Sequence, residues 1–144
     1  MRQSLFVILF IAFLLAAQNK DDAIAKDKAG LKGKWKLVLL TNPTGEKLEA
    51  GDNAEVFIII TDTTLTTITG AKLDYTINPT KNPKELDVSP IDGPNKGKVS
   101  KVIYKIEGDT LTICGGDAGS ERPKAFEHSK ELVHYVQTYK RPKQ

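Results

Sequence analysis

The chain predicts an all-β domain: a small antiparallel, up-and-down β-barrel of about eight strands, with a two-sheet β-sandwich as the alternative. Three observations carry this. Apolar and polar residues alternate with a period of two in run after run. The runs are separated by short segments rich in Pro, Gly, Asn and Asp, which make turns. No segment from Leu31 to Arg141 shows a convincing helical period. About eight strands with antiparallel neighbours suffice to close a small barrel, and closure removes the exposed edges of an open sheet.

The opening stretch is expected to lie outside the domain. Arg2 supplies a positive n-region, Leu5 to Leu15 is an unbroken apolar run of 11 residues, and small residues follow. This is the layout of a secretory signal peptide over residues 1–25, with cleavage after Ala17 or after Ala25. The run is too short for a transmembrane helix, which needs roughly 20 apolar residues. No Cys follows either cleavage position, which argues against a lipid anchor. Residues 18–30 hold mostly Lys, Asp and Ala without a durable apolar face, so 26–30 is expected to be a flexible lead. The domain is placed at 31–141 and a short tail at 142–144. The protein is therefore expected to be secreted or periplasmic.

Within the domain, Gly33 to Leu40 is the first strand, with Trp35, Leu37 and Leu39 on one face and Lys34 and Lys36 on the other. Thr41 to Gly45 turns it, and Gly51 to Asn53 makes a second turn after a short connector. Val56 to Ile60 is a continuous apolar run, consistent with a strand covered on both faces or meeting another element on its outer side. The Thr-rich stretch 64–69 favours a strand because its residues are β-branched. Leu73, Tyr75 and Ile77 alternate with polar neighbours in the next strand, which ends at Asn78-Pro79. Leu86 and Val88 share a face of a short strand. After a turn region from Pro90 to Gly97, Lys98 to Glu107 places Val102, Tyr104 and Ile106 on one face. Gly108-Asp109 is a tight hairpin signal leading into Thr110 to Cys114. Gly115 to Arg122 is a loop, and Leu132 to Lys140 closes the set.

Two strings in this pattern carry a family resemblance: Tyr75-Thr-Ile-Asn-Pro-Thr-Lys-Asn-Pro-Lys-Glu-Leu-Asp87 and Ile103-Tyr-Lys-Ile-Glu-Gly-Asp-Thr-Leu-Thr-Ile-Cys114, the latter followed by Glu121-Arg-Pro-Lys-Ala-Phe126. From about Leu31 to Arg141 the chain resembles an uncharacterised, lipocalin-like β-barrel domain that recurs in secreted proteins of Planctomycetes. Asn78, Leu86 and Val102 depart from its pattern, where Asp, Ile and Gly are expected. The resemblance implies the fold and an extracytoplasmic setting, and it supplies no catalytic residues. Gly33-Lys34-Trp35 also resembles the Gly-x-Trp that opens the lipocalin first strand, and Arg141 is placed to cover the Trp35 ring by a cation–π contact.

The net charge is +3, and removing residues 1–25 takes away two basic and two acidic groups, leaving it at +3. The charges are dispersed, without the concentrated basic patch and interleaved aromatics of a nucleic-acid binder. Lys32, Lys34 and Lys36 alternate along the first strand and read as a solvated face that discourages edge pairing. Cys114 is the only cysteine, so no internal disulfide forms and an apolar core must hold the domain. It is expected to pack at a strand end. With two histidines, His128 and His134, and no Gly-x-Ser-x-Gly string, the chain shows no nucleophile with its base. No His or Cys spacing suggests a metal, and no cofactor is expected. Asn42-Pro-Thr44 and Asn78-Pro-Thr80 are excluded from glycosylation by their central Pro.

The expected function is an exported, non-enzymatic barrel that binds a small apolar or amphipathic ligand, with the inward set Trp35, Leu37, Val56, Ile58, Tyr75, Tyr104 and Leu111 forming the interior. Lys81 and Arg122 are candidate rim groups for an anionic moiety, Arg122 alternatively pairing with Asp109 or Asp87 to fix its loop. The other reading is a cell-envelope protein-interaction or inhibitor module with a solid core, using the loops 78–83 and 115–126. Neither reading involves nucleic acid or a membrane span that remains after processing.

Overall fold

A computed structural model describes residues 3–143, with side chains in the first helix from Phe13 onward. Arg2, the n-region of the expected signal peptide, and Gln144 lie outside the described residues. Helix α1 (Gln3–Leu31) is followed by nine strands: β1 (Gly33–Thr41), β2 (Lys47–Glu49), β3 (Phe57–Ile60), β4 (Thr64–Thr66), β5 (Lys72–Asn78), β6 (Lys84–Pro90), β7 (Ser100–Glu107), β8 (Thr110–Gly115) and β9 (Tyr135–Lys140).

Each strand from β3 to β9 pairs antiparallel with the next, and β9 returns to pair with β1, so eight strands close a barrel. Closure excludes the sandwich. The ninth strand, β2, is an addition that sequence reading treated as a connector. It pairs with Leu39–Thr41 of β1, on the edge that β3 covers only at Gly33–Lys36.

A β-bulge between Leu37 and Leu39 in the β1–β9 ladder shifts which residues face inward. Trp35 and Leu37 point into the barrel below it. Above it Leu40 does, where strict alternation put Leu39. The run 57–60 is also covered on one face only: Ile58 and Ile60 are buried, whereas Ile59 is exposed and Phe57 lies outside beneath the Lys34 ammonium, 3.7 Å from its ring centroid. Lys36 donates to the Asp52 carbonyl and Lys32 pairs with Asp62, so the three alternating lysines are solvated or locally bonded.

The barrel has two unlike ends. At one end lie the β3–β4 turn, the β5–β6 and β7–β8 hairpins and the start of β1, and α1 packs across them. Residues 26–30 are therefore helical, in place of the expected flexible lead. The docking face is sparse: half-buried Ile24, then Asp27, then fully buried Leu31, at helical spacing. One carboxylate oxygen of Asp27, only 12% exposed, accepts from Lys84 Nζ and from the Tyr104 hydroxyl, both at 2.7 Å. Lys28, in the last turn, donates to the Asp62 carbonyl and lies over the Tyr75 ring.

The end of α1 leaves carbonyls without helical partners; side-chain hydrogen bonds satisfy two of them, and a third bond takes the carbonyl of the next residue. Trp35 Nε1 donates to Leu31 O at 2.7 Å, while the Arg141 guanidinium donates to Gly30 O at 2.7 Å and Lys32 O at 2.8 Å. Its carbon lies 3.7 Å from the centroid of the Trp35 ring, the expected cation–π contact. The backbone N–H of Arg141 also donates to Asp109 O, in the β7–β8 hairpin. Gly33 is required here: its φ is +117°, and a Cβ at that position would stand 2.7 Å from an Arg141 nitrogen.

Arg141→Lys is expected to cost about 1–3 kcal/mol, because an ammonium cannot fork between two carbonyls while stacking on an indole. Urea unfolding should show a lower midpoint with an unchanged slope. Gly33→Ala should lose stability at the same clasp; an unaltered midpoint in both variants would show that the clasp is energetically idle.

Candidate functional site

The other end of the barrel is open. Around it stand the β1–β2 turn, the loop 50–56, the β4–β5 turn, the loop 91–99 and the long β8–β9 connection over 116–134. Below this mouth the interior holds a cavity of about 390 Å³. Its wall is divided. Ile58, Leu65, Leu73, Leu86, Val88 and Val102 supply an apolar side from β3 to β7. Tyr135, Gln137 and Tyr139 form a column on β9, from the mouth downward, that carries the hydrogen-bonding groups.

This polarity follows from period-two alternation in Tyr135–Lys140, which sends Tyr135, Gln137 and Tyr139 inward and leaves Val136 and Thr138 outside. The Tyr139 hydroxyl donates to Gln137 Oε1 at 3.0 Å. That bond leaves the Gln137 amide N–H groups without a partner among the described residues. Burial raises the Tyr139 pKa, so its hydroxyl is neutral and a hydrogen-bond donor at physiological pH. Ser100 and Thr67 add hydroxyls nearer the mouth, and Asp117 stands at the rim. Gly115 also lines the cavity, and a Cβ there would clash with Val102 across the β7–β8 pair.

Of the seven residues expected inside, Trp35, Leu37, Ile58, Tyr75, Tyr104 and Leu111 are buried, and Val56 is half-buried against the core. Only Ile58 lines the cavity. The others fill the closed half as solid packing, with hydroxyls already engaged: Tyr75 donates to Thr61 O and Tyr104 to Asp27. Desolvation, reinforced by Asp27, raises the Tyr104 pKa, and burial with nearby Asp62 raises that of Tyr75. The residues that sequence reading did not single out as a site are the β9 column and Asp117. The alternation of Tyr135, Gln137 and Tyr139 was the signal that could have found the column.

Neither candidate rim cation reaches the mouth. Lys81 is exposed in the β5–β6 hairpin, at the closed end. Arg122 lies on the outer wall, donating to Asp87 Oδ1 at 2.6 Å and to Val102 O at 2.8 Å, with Glu85 at 3.7 Å. The structural alternative for Arg122, pairing with Asp87, is the one realised. Its loop is thereby pinned down the outside of β6–β8, where it covers Ile103 and Cys114, both with no exposure.

Cys114 faces away from the cavity, its thiol directed at Glu127 O (3.4 Å) and Ala125 O (3.6 Å). Burial pushes the thiol pKa up to about 11. The histidines serve the same loop region: His134 Nε2 meets Glu121 O and His128 Nδ1 meets Pro43 O. Among the described residues, no group of three or more His, Cys, Asp or Glu side chains could hold a metal ion. At the neck of the loop Val133 has a φ of +53°, a left-handed conformation that costs a β-branched residue about 1–2 kcal/mol. Its carbonyl packs against Gly116, where a Cβ would lie 2.5 Å away.

Because the folded thiol titrates above its ordinary value near 9, its contribution is complete below pH 9 and is lost as pH rises toward about 11. Urea midpoints measured across that window should fall for the native chain. In Cys114→Ser, which retains a donor but does not titrate there, this part of the fall should be missing; equal pH profiles would refute the assignment. No protein-family model, no curated protein and no solved structure matches the chain.

Proposed function

We propose that this protein is an exported, non-enzymatic barrel that binds a small amphipathic molecule in the cavity at its open end. The observation supporting this is the division of the cavity wall, apolar over β3–β7 and hydrogen-bonding along β9, in a space large enough for a small ligand. A solid-core interaction module is the weaker reading, because that interior is not filled. For catalysis, the single thiol is spent on two backbone carbonyls and both imidazoles on loop contacts, which favours a binding role. The resemblance to the Planctomycetes secreted domain supports the same reading of fold and compartment.

Export is supported by the layout of residues 1–17, and the packing of α1 favours one of the two cleavage positions. Residues 13–22 are exposed on the helix, with Phe13 at 78% and Leu15 at 56%, whereas contact with the barrel begins at Ala23 and Ile24. Cleavage after Ala17 keeps the whole docked segment, and cleavage after Ala25 removes Ile24 from the core. No helix among the described residues is long and apolar enough to cross a membrane. Intact-mass measurement of the protein exported from its host should therefore give an N-terminus at Gln18. A start at Lys26 would refute this choice, and an intact Met1 would refute processing.

Binding is tested with a lipophilic probe whose emission responds to its environment. Trp35 is a poor reporter, since it lies in the solid half and does not line the cavity. Saturable probe binding is expected for the native chain and a loss of at least about tenfold in affinity for Val88→Trp, whose indole occupies the space. Unaltered binding in a folded Val88→Trp protein would place the probe elsewhere and remove the support for this function.

A further inference from the structure

We propose that the cavity selects amphiphiles with a neutral or cationic head and rejects the corresponding carboxylates, with Asp117 as the discriminating group. This rests on the reading of the cavity as a ligand site. Asp117 is the only residue with a formal charge among those lining the cavity, and no Lys, Arg or His joins it. Its carboxylate makes no ion pair or hydrogen bond with another described residue, while its backbone carbonyl accepts from Ser120 N–H at 3.1 Å and so fixes the turn that carries it.

The nearby cations are either paired elsewhere or do not line the cavity. Arg122 is held on the outer wall by Asp87 and Glu85, and Lys84 is held at the closed end by Asp27. Lys72, Lys96 and Lys98 belong to neighbouring mouth segments without lining the cavity, and Lys98 donates to Asn95. An apolar tail seated against β3–β7 would leave its head at the mouth, beside Asp117. A carboxylate there would lose part of its hydration, find no cation and face a like charge. An alcohol or amide can use the hydroxyls of Ser100 and Tyr135, and an ammonium can pair with Asp117 as well.

The test compares decan-1-ol, decylamine and decanoate, each below its micelle-forming concentration at neutral pH, as competitors of the environment-sensitive probe. The alcohol should compete, the amine should bind at least as tightly as the alcohol, and the amine should exceed decanoate by about tenfold. Asp117→Asn should bring the amine and decanoate within about threefold of each other; Asp117 is exposed on a loop, so the substitution spares the core. Decanoate binding as tightly as the amine, or an amine preference that survives Asp117→Asn, would overturn the selectivity while leaving the cavity reading intact. Failure of all three to compete would overturn the cavity reading and this inference with it.

Discussion

The contact on which the rest of the structure depends is the clasp of Arg141 on Trp35 and on the end of α1. A closed barrel must bring its last strand back to its first, and that pairing joins segments roughly a hundred residues apart, at a substantial cost in loop-closure entropy. Arg141 contributes to that closure from the chain's far end. Its guanidinium stacks on Trp35 and donates to Gly30 and Lys32, and its backbone holds the β7–β8 hairpin through Asp109. One residue thus links helix, first strand, last strand and a hairpin. Burial lowers the Arg141 pKa, an effect opposed by Asp109, yet a guanidinium stays charged at any physiological pH.

With one end fixed by this clasp and by the Asp27–Lys84–Tyr104 cluster, the interior divides along its axis. Large rings fill the lower half, because Trp35, Tyr104 and Tyr139 reach across a narrow barrel. The upper half is lined by smaller or shorter side chains, and the bulge in β1 turns Leu40 rather than Leu39 inward at that level. Trp35 and Tyr104 accordingly lie away from the cavity wall that a ligand would meet. Tyr139 stands at the junction, buried in the core yet bonded to Gln137 in the cavity wall.

Fold class was legible because alternation and turn chemistry are local: Leu73 to Ile77, Ser100 to Glu107 and the Gly108-Asp109 hairpin need no tertiary context. The cavity was not, since inward parity does not say whether an inward residue meets a neighbour or empty space. That depends on bulges, strand tilt and the size of what stands opposite. Hence six of seven expected interior residues are buried and only Ile58 touches the cavity. The cap was hidden for a related reason. Two apolar residues at helical spacing, Ile24 and Leu31, make too weak a period to announce a docked helix, and Asp27 between them reads as solvated until Lys84 and the Tyr104 hydroxyl are placed beside it.

The resemblance strings take on a physical meaning once placed in three dimensions. Asp87 from the first and Arg122 from the tail of the second form an ion pair across the outer wall, and the Cys114 thiol donates to carbonyls of the same loop. These residues act together to press the loop 120–128 against β6–β8, outside the barrel. With the loop held there, its tip around Asp117 stands at the rim. A long connection free to collapse inward would bury its apolar residues in an unfilled space, since removing apolar surface from water is favourable at about 25 cal/mol per Å². The outer clamp opposes that collapse. The strings that carry the resemblance thus supply an outer clamp, and none of the clamp residues lines the cavity.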